Sequence, residues 1–226
     1  MISICPEVAD RRSVWIKVHG RCCARWRMPT LMPLIDVTQS MLLVIDAQQD
    51  FYRAARADVD RAGLGGMFRR AAWVTALAGR LGVPVVVTEE DAAVNGATAE
   101  VIREVLPKGA PVLPKWTFGA PGNPQILAAI EATAATTGVL VGLETDVCVA
   151  HSALGLQELG MRVAAVHDAL FSPGAAHANG LGRMEREGVE LVSAKELAYD
   201  WLRTVTGVRD FFRANPDLAD PPGFAL

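Results

Sequence analysis

The sequence has few cysteines and histidines and lacks the common catalytic and cofactor-binding motifs. Its 226 residues include 4 cysteines and 4 histidines. No CxxC pair occurs, which argues against thioredoxin-type redox chemistry and zinc ribbons. No GxGxxG, GxxxxGKS/T, GxSxG or HExxH motif occurs either. Dinucleotide, P-loop nucleotide, serine-hydrolase and zinc-protease sites therefore lack their essential residues.

Long apolar runs and a strong charge excess are also missing. The runs VPVVVT (83–88) and GVLVGL (138–143) are much shorter than the roughly 20 residues that cross a bilayer as a helix. The net charge is -3, so neither nucleic acid nor an anionic membrane is expected as a partner. The first thirty residues contain no apolar stretch followed by a cleavage site, which argues against a signal peptide.

The cysteines are unevenly distributed along the chain. Cys5, Cys22 and Cys23 lie in the first thirty residues, and Cys148 is alone in the rest of the chain. The body of the protein therefore cannot form an internal disulfide, a pattern typical of a reducing compartment. We expect a cytoplasmic protein.

Composition divides the chain into three parts. Residues 1–35 mix Arg, Cys and Trp, and we predict an N-terminal extension that is disordered or loosely packed, with Met28 or Met32 as alternative starts. Residues 36–205 form one predicted domain, long enough to bury its own core. Residues 206–226 are a predicted C-terminal tail that contains a surface helix.

Within the domain, short runs rich in Val, Ile and Leu alternate with segments of helical spacing. The apolar runs span residues 41–46, 83–88, 110–115, 138–143, 162–169 and 189–194. The helical segments span 67–81, 97–106, 123–135, 147–160, 174–187 and 195–205. Continuously apolar strands indicate burial on both faces. The pattern predicts a three-layer α/β fold, a parallel sheet with helices on both faces.

Three chemically complementary residues follow the predicted strands. Asp46 ends the first strand, Lys115 ends the third, and Cys148 opens the helix after the fourth. Because ligands bind at the carboxyl ends of parallel strands, the three side chains are predicted to share one site. A helix N-terminus and a lysine favour a thiolate, and a carboxylate can take its proton. The lysine is also expected to lower the pKa of Asp46 and keep it ionised.

Each of these residues alone has a structural alternative. Asp46 could cap a turn, Lys115 could be a solvated surface cation, and Cys148 could be a small buried hydrophobic residue. Their joint placement at one edge of the sheet favours the catalytic interpretation.

Three segments carry a specific family resemblance: MLLVIDAQQDF (41–51), LPKWTFG (113–119) and GLETDVCVAHSALGLQELGMRVAAVHDAL (142–170). Together they resemble the isochorismatase-like cysteine hydrolases, a superfamily that includes nicotinamidases and N-carbamoylsarcosine amidohydrolases. The resemblance implies six strands in the order 3-2-1-4-5-6. It also implies Asp46 as general base, Lys115 as polarising cation and Cys148 as nucleophile. We expect hydrolysis of a small amide or ureido C–N bond through a thioester, by a homo-oligomer.

The resemblance further implies a cis peptide bond between Leu143 and Glu144, which would aim the Glu144 and Cys148 N–H groups as an oxyanion hole. Metal-binding nicotinamidases carry an Asp-x-His pair and a further histidine downstream of the first strand. Residues 50–60 and 88–98 contain none, so we predict no metal and no other cofactor.

Four residues are candidates for the walls of a small-molecule substrate pocket. Phe51, Trp116 and Phe118 could enclose a flat amide, and His151, one turn beyond Cys148, could touch it. Core packing is the alternative for each of them.

Two other functions remain open. One is a non-catalytic or redox-sensing member of the same fold that uses the pocket for binding. The other is a Rossmann-like binding module of a different class, in which Asp46, Lys115 and Cys148 would lie far apart.

Overall fold

The computed structural model describes residues 34–223 and 225, together with the backbone of three N-terminal strands. The chain forms two compact units, Met1–Leu34 and Ile35–Leu226. No helix in these described parts is long and apolar enough to span a bilayer.

The first unit contains a small antiparallel sheet. Its strands are β1 (Ser3–Ile4), β2 (Ser13–Val18) and β3 (Arg21–Arg27), in that spatial order. Composition alone indicated no regular structure, but the VWIKV run in β2 is rich in the β-branched and aromatic residues that favour strands. How loosely this unit is attached stays a prediction, and Cys5, Met28 and Met32 lie outside the described residues.

The second unit contains one six-stranded sheet. Its strands are β4 (Ser40–Ile45), β5 (Val85–Glu90), β6 (Val112–Lys115), β7 (Thr137–Leu143), β8 (Arg162–Phe171) and β9 (Glu190–Val192). The spatial order is β6-β5-β4-β7-β8-β9, and every pairing is parallel. This is the predicted order 3-2-1-4-5-6, and the three-layer α/β prediction is confirmed.

Eight helices accompany the sheet in the part of the chain that the structure describes. They are α1 (Arg61–Arg80), α2 (Ala92–Asn95), α3 (Glu100–Arg103), α4 (Pro124–Ala132), α5 (Ala150–Glu158), α6 (Ala175–Arg186), α7 (Ala194–Leu202) and α8 (Val205–Ala214). The first begins earlier than predicted because the Asp60 carboxylate accepts hydrogen bonds from the N–H groups of Ala62 and Gly63.

The sheet separates two apolar cores. Strand β4 is buried along its whole length. Leu42 and Val44 pack in the core beneath α1 and α7, whereas Leu43 and Ile45 pack in the core beneath α4 and α5. Burial on both faces explains why this strand is apolar at consecutive positions.

The C-terminal residues pack on α1. The Trp73 indole N–H donates a hydrogen bond of 3.0 Å to the carbonyl of Leu218. Leu218 lies in a short turn after α8 and is buried. The predicted tail therefore contributes to the core of the second unit.

Candidate active site

Four adjacent strands bring polar side chains to the carboxyl edge of the sheet. Asp46 follows β4, Glu90 ends β5, Lys115 ends β6, and Cys148 follows β7. The junction of β4 and β7 is where the strand order reverses, the usual ligand position in open α/β sheets. Asp46, Lys115 and Cys148, predicted from the sequence, lie together here.

Asp46 and Lys115 form an ion pair that is fully withdrawn from water. The Lys115 Nζ lies 2.9 Å from Asp46 Oδ2, and both side chains are 0% exposed. Thr88 donates a hydrogen bond of 2.7 Å to the other carboxylate oxygen, Oδ1. Among the described residues Oδ2 receives no well-directed hydrogen bond, so a lone pair remains for a proton.

The backbone at Asp46 is in an unusual conformation. Its φ is +44°, in the left-handed region that few non-glycine residues adopt. Its N–H donates to the carbonyl of Thr88 at 3.1 Å. Such conformations persist only where the surroundings enforce them, and they are concentrated at functional sites.

Lys115 is held by backbone carbonyls as well as by charge. Its ammonium group donates hydrogen bonds to the carbonyls of Thr117 at 2.7 Å and Phe118 at 3.3 Å. It also lies 3.5 Å from Cys148 Sγ. The cation is therefore fixed between the carboxylate and the sulfur.

Cys148 lies in a wide helical turn, Thr145–Val149, that precedes α5. The Val149 N–H reaches five residues back to the carbonyl of Glu144, at 3.0 Å, which is π-helical bonding. The Cys148 side chain is nearly buried, with 2% of the residue exposed. Turns of this kind occur frequently at functional sites.

Close approach of β4 and β7 aligns the two halves of the site. Gly142 has φ +124°, and a Cβ there would lie 2.0 Å from the Ile45 carbonyl oxygen. Only glycine fits at position 142, six residues before Cys148. Its partner on β4, Ile45, is the residue before Asp46. This contact accounts for the glycine near the end of the apolar run.

Glu90 is a site residue that the sequence analysis missed. The Cys148 thiol donates a hydrogen bond of 3.1 Å to Glu90 Oε2, and this oxygen lies 3.4 Å from Lys115 Nζ. The end of a parallel strand is a signal for Glu89 and Glu90 together, but it does not indicate which of the two faces the sulfur.

Burial and charge shift the pKa of each central group. Burial raises the pKa of Asp46 and outweighs the opposing effect of Lys115. The prediction that Lys115 lowers the pKa of Asp46 is therefore wrong. It took account of the charge of Lys115 but not of the loss of hydration of the buried carboxylate. Burial, followed by the charge of Asp46, raises the pKa of Cys148. The resting sulfur is thus a thiol.

The pKa of Lys115 moves in the direction that keeps it charged. Burial alone would lower this pKa, but the charges of the Asp46 and Glu90 carboxylates and the hydrogen bond to Asp46 raise it above its ordinary value. The ammonium group therefore remains available to stabilise negative charge beside the sulfur.

The carboxylates and the thiol are close enough together to be considered as metal ligands. One ligand atom each of Asp46, Glu90 and Cys148 lie within 4.8 Å of one another. However, the Lys115 ammonium already lies 2.9 Å from Asp46 and 3.4 Å from Glu90. A metal ion would have to displace this buried cation, so the residues do not fit a metal.

The predicted cis peptide bond is wrong. The described residues contain no cis peptide, so the bond between Leu143 and Glu144 is trans. Glu144 has ordinary extended angles of φ -81° and ψ 140°. The trans form is favoured by about 3–4 kcal/mol before residues other than proline. The wide turn after Glu144 and the conformation of Gly142 carry the chain into α5 instead.

Side chains from other elements hold the turn that carries Cys148. Tyr52 donates a hydrogen bond of 2.9 Å to Glu144, and Ser172 donates one of 2.7 Å to Asp146. Burial raises the pKa of Glu144 above its usual range.

The helix α6 packs directly on the same turn. A Cβ on Gly180 would lie 2.6 Å from the Asp146 Cα. The turn is thus fixed by backbone packing as well as by hydrogen bonds.

The predicted pocket residues lie in different environments. Phe51 is partly buried against the main core, and its ring meets Tyr52 edge-on at 5.2 Å. Trp116 and Phe118 are 72% and 56% exposed. The Phe118 ring lies edge-on to His151, with centroids 5.8 Å apart. A substrate wall made by these four residues stays a prediction.

Solved structures share this architecture. The MAR1 ribonuclease from Caenorhabditis elegans is 23% identical with a TM-score of 0.72, covering 85% of this chain and 97% of that chain. YcaC from Pseudomonas aeruginosa, with hexane-2,5-diol and covalent acrylamide, is 21% identical with a TM-score of 0.71, covering 84% and 95%.

The YcaC gene product of Escherichia coli is described as an octameric hydrolase of unknown specificity. It is 22% identical with a TM-score of 0.70, covering 84% of this chain and 94% of that chain. At these identities the likeness shows the fold alone. No curated protein sequence matches the chain.

The family comparison covers the segments that form the site. The model of the isochorismatase domain matches residues 40–196. This range is more than half of the chain and includes all four strand ends that supply Asp46, Glu90, Lys115 and Cys148. The chain therefore belongs to the isochorismatase family, whose fold is that of a hydrolase.

Proposed function

We propose that the protein is a cysteine-dependent hydrolase that cleaves the C–N bond of a small amide or ureido compound. One observation carries the proposal. Cys148 Sγ lies 3.5 Å from the Lys115 ammonium, which is itself paired with Asp46 at 2.9 Å. A thiol, a buried cation and a carboxylate in contact are the parts that nucleophilic attack on a carbonyl requires.

In the first half-reaction Asp46 takes the thiol proton while the sulfur attacks the substrate carbonyl carbon. Its raised pKa suits this role, because a carboxylate that binds a proton more tightly is a stronger base. As the C–N bond breaks, Asp46 returns the proton to the nitrogen. Ammonia or an amine leaves, and the acyl group remains on sulfur as a thioester.

In the second half-reaction water attacks the thioester. Asp46 accepts a proton from the water, the C–S bond breaks, and the proton returns to the sulfur. Lys115 stays charged throughout and stabilises the negative charge that develops next to it.

Backbone N–H groups of the wide turn supply the oxyanion hole in this proposal. Cys148 lies in the first helical turn, where N–H groups lack acceptors within the helix. The role of Glu144 as a second donor depended on the cis bond. The Cys148 N–H is therefore the donor that we propose for the oxyanion hole.

Two other activities receive less support. A redox-sensing cysteine is usually exposed with a lowered pKa, whereas Cys148 is buried and its pKa is raised. A ribonuclease, the description of the Caenorhabditis elegans neighbour, binds a polyanion. The net charge of -3 and the carboxylates beside Cys148 are unfavourable for that ligand.

We also propose a cytoplasmic homo-oligomer. The lone buried thiol of the second unit suits a reducing compartment. Trp116 and Phe118 expose large aromatic surfaces, and the Escherichia coli neighbour is described as octameric. Light scattering at several protein concentrations tests this; a monomer at all of them contradicts it.

Ammonia release from a panel of small amides and N-carbamoyl compounds tests the function. Cys148→Ala is expected to abolish turnover, and Cys22→Ala, in the other unit, is expected to retain it. Acid quenching of the wild type should trap the substrate's acyl mass on the Cys148 peptide. Turnover by Cys148→Ala would refute the proposal.

A further inference from the structure

Glu90 gives the site one negative charge more than its lysine balances. Two carboxylates, Asp46 and Glu90, lie within 3.4 Å of the single Lys115 ammonium. Asp46 already faces this cation at 2.9 Å and accepts a hydrogen bond from Thr88. Glu90 lies farther from the ammonium group, at 3.4 Å, and it also accepts a hydrogen bond from the Cys148 thiol.

Glu90 is also the member of the site that meets solvent. Its side chain is 27% exposed, whereas those of Asp46 and Lys115 are 0% exposed. Cys148 is 2% exposed. A molecule that approaches the sulfur therefore encounters the Glu90 carboxylate before it reaches either partner of the buried ion pair.

The backbone of Glu90 is fixed by a buried amide. Its N–H donates to Gln48 Oε1 at 2.8 Å, and its carbonyl accepts from Gln48 Nε2 at 3.0 Å. The Asn95 side chain donates to the same carbonyl at 2.9 Å. Gln48 is 0% exposed. The position of the carboxylate is thus set by the fold and not by a mobile loop.

Apart from Lys115, which Asp46 already pairs, the charged groups around Glu144 add no net positive charge to the site. Burial raises the pKa of Glu144, and the charges of Asp146 and Glu90 add to this effect. Arg56, the cation that acts on Glu144, stacks on Tyr52 at 5.3 Å and pairs with Asp58. An Arg56–Asp58 pair is neutral as a whole.

We propose that Glu90 is a specificity-determining residue that favours molecules with a positive charge or N–H donors beside the reacting carbonyl and rejects those with a carboxylate there. Amino amides and ureido compounds fit this description, whereas monoamides of dicarboxylic acids do not. The physical reason is Coulombic: at contact distance a second anion next to Glu90 is repelled and a cation is attracted. For turnover this inference rests on the proposed hydrolase function.

Alkylation of Cys148 tests the selectivity without any need for turnover. Three reagents of similar size are used: neutral iodoacetamide, anionic iodoacetate and cationic 2-bromoethylammonium. The labelling rate of the Cys148 peptide is measured by mass spectrometry in the full-length protein. Each rate is divided by that of 2-mercaptoethanol with the same reagent. All three reagents react with the same Cys148 thiolate. The ratio of two labelling rates is therefore independent of the fraction of Cys148 that is ionised.

In the wild type, the labelling rate relative to 2-mercaptoethanol is expected to be highest for the cationic reagent, lower for the neutral one and lowest for the anionic one. Its preference for iodoacetamide over iodoacetate should exceed that of 2-mercaptoethanol by about tenfold, which corresponds to roughly 1.4 kcal/mol. Glu90→Gln keeps the size and removes the charge, and it should bring the ratio within about threefold of 2-mercaptoethanol. Glu131→Gln, an exposed position on α4, should leave the wild-type ratio unchanged.

Three results would overturn the inference. They are a wild-type ratio equal to that of 2-mercaptoethanol, a ratio that Glu90→Gln leaves unchanged, and a Cys148 that none of the reagents labels. Thermal unfolding of each variant confirms that it is folded. A protein that labels selectively but hydrolyses no amide would contradict the proposed function and leave the charge selectivity intact. Where hydrolysis is found, kcat/KM for glycinamide against succinamate gives a second reading of the same preference.

Discussion

Lys115 Nζ and Asp46 Oδ2 lie 2.9 Å apart at the carboxyl edge of the sheet, and neither side chain is exposed to water. The two residues come from β6 and from the end of β4, with β5 between them. A buried pair of this kind is held in place by the fold, and each partner depends on the other to offset its loss of hydration.

Removal of the cation is therefore expected to be costly. Lys115→Met leaves Asp46 buried without its partner, and we expect a loss of about 3–5 kcal/mol in the free energy of unfolding. Urea denaturation measures this. Lys108→Met, at an exposed position, is the matched control and should change stability by less than about 0.5 kcal/mol.

The pairing itself is tested by a double-mutant cycle. The Asp46→Asn, Lys115→Met double variant should be less destabilised than the sum of the two single variants, because it leaves no isolated charge. Strict additivity would show that the two groups do not interact.

The protonated state of Cys148 predicts a fall in stability at alkaline pH. Its pKa is raised in the folded protein, above the ordinary value of about 8.5. The folded chain then keeps a proton that the unfolded chain releases. The stabilisation is fully present below about pH 8.5 and is lost as the pH rises toward the folded pKa.

Urea denaturation between about pH 8.5 and pH 10 measures this dependence. One retained proton steepens the decline by up to about 1.4 kcal/mol per pH unit. Cys148→Ser removes the group and should flatten the decline by that amount. Tyr52 and Lys115, whose pKa values are also raised, act mainly above this window because their ordinary values are near 10 or higher. An equal slope in both proteins would indicate a sulfur with an ordinary pKa.

The sequence predicted the edge of the sheet at which the site lies, but not all of its members. Parallel strands end on one side, so Asp46, Lys115 and Cys148 could be grouped from strand assignments alone. Glu90 could not be separated from Glu89 in the same way. Glu89 turns back to accept hydrogen bonds of 2.7 Å from the N–H and hydroxyl of Thr98, while Glu90 reaches the sulfur. That choice depends on how β5 meets the following loop.

The direction of the Asp46 pKa shift shows a similar limit. A sequence indicates which charges meet, but it does not give the amount of water that each group loses. Burial outweighs the attraction of Lys115, and only the packed structure reveals its extent. The trans bond before Glu144 likewise depends on how the turn is accommodated by its neighbours.

Gly142 is expected to tolerate no side chain. Gly142→Ala combines a φ of +124° with a Cβ placed 2.0 Å from the Ile45 carbonyl oxygen. We expect a loss of at least about 3 kcal/mol in the free energy of unfolding. Gly82 also has a positive φ, +74°, but no heavy atom lies within 4 Å of its added Cβ.

Gly82→Ala is therefore the control for backbone strain without a clash, and it should cost about 1–2 kcal/mol. Equal losses at the two positions, measured by urea denaturation, would mean that β4 and β7 can separate to admit a methyl group. Activity should fall at Gly142 alone, because a shift of Ile45 also moves Asp46.

Gly180 allows α6 to approach the turn that carries Cys148. A Cβ there would lie 2.6 Å from Asp146 Cα and 2.8 Å from the Thr145 carbonyl carbon. Gly180→Ala must push α6 away from this turn, so we expect a loss of about 1–3 kcal/mol in stability. The alkylation rate of Cys148 should change with it, because the turn positions the sulfur.

Gly182 lies two residues further along the same helix and provides the matched control. Its added Cβ would lie 3.4 Å from the end of the flexible Arg186 side chain. Gly182→Ala should therefore stabilise the protein by up to about 1 kcal/mol, because alanine favours a helix interior over glycine. Thermal unfolding distinguishes the two variants, because the melting temperature should fall in Gly180→Ala and rise in Gly182→Ala. If both variants gain stability, α6 does not hold the turn, and the position of Cys148 depends on β7 and the hydrogen bonds around Glu144 alone.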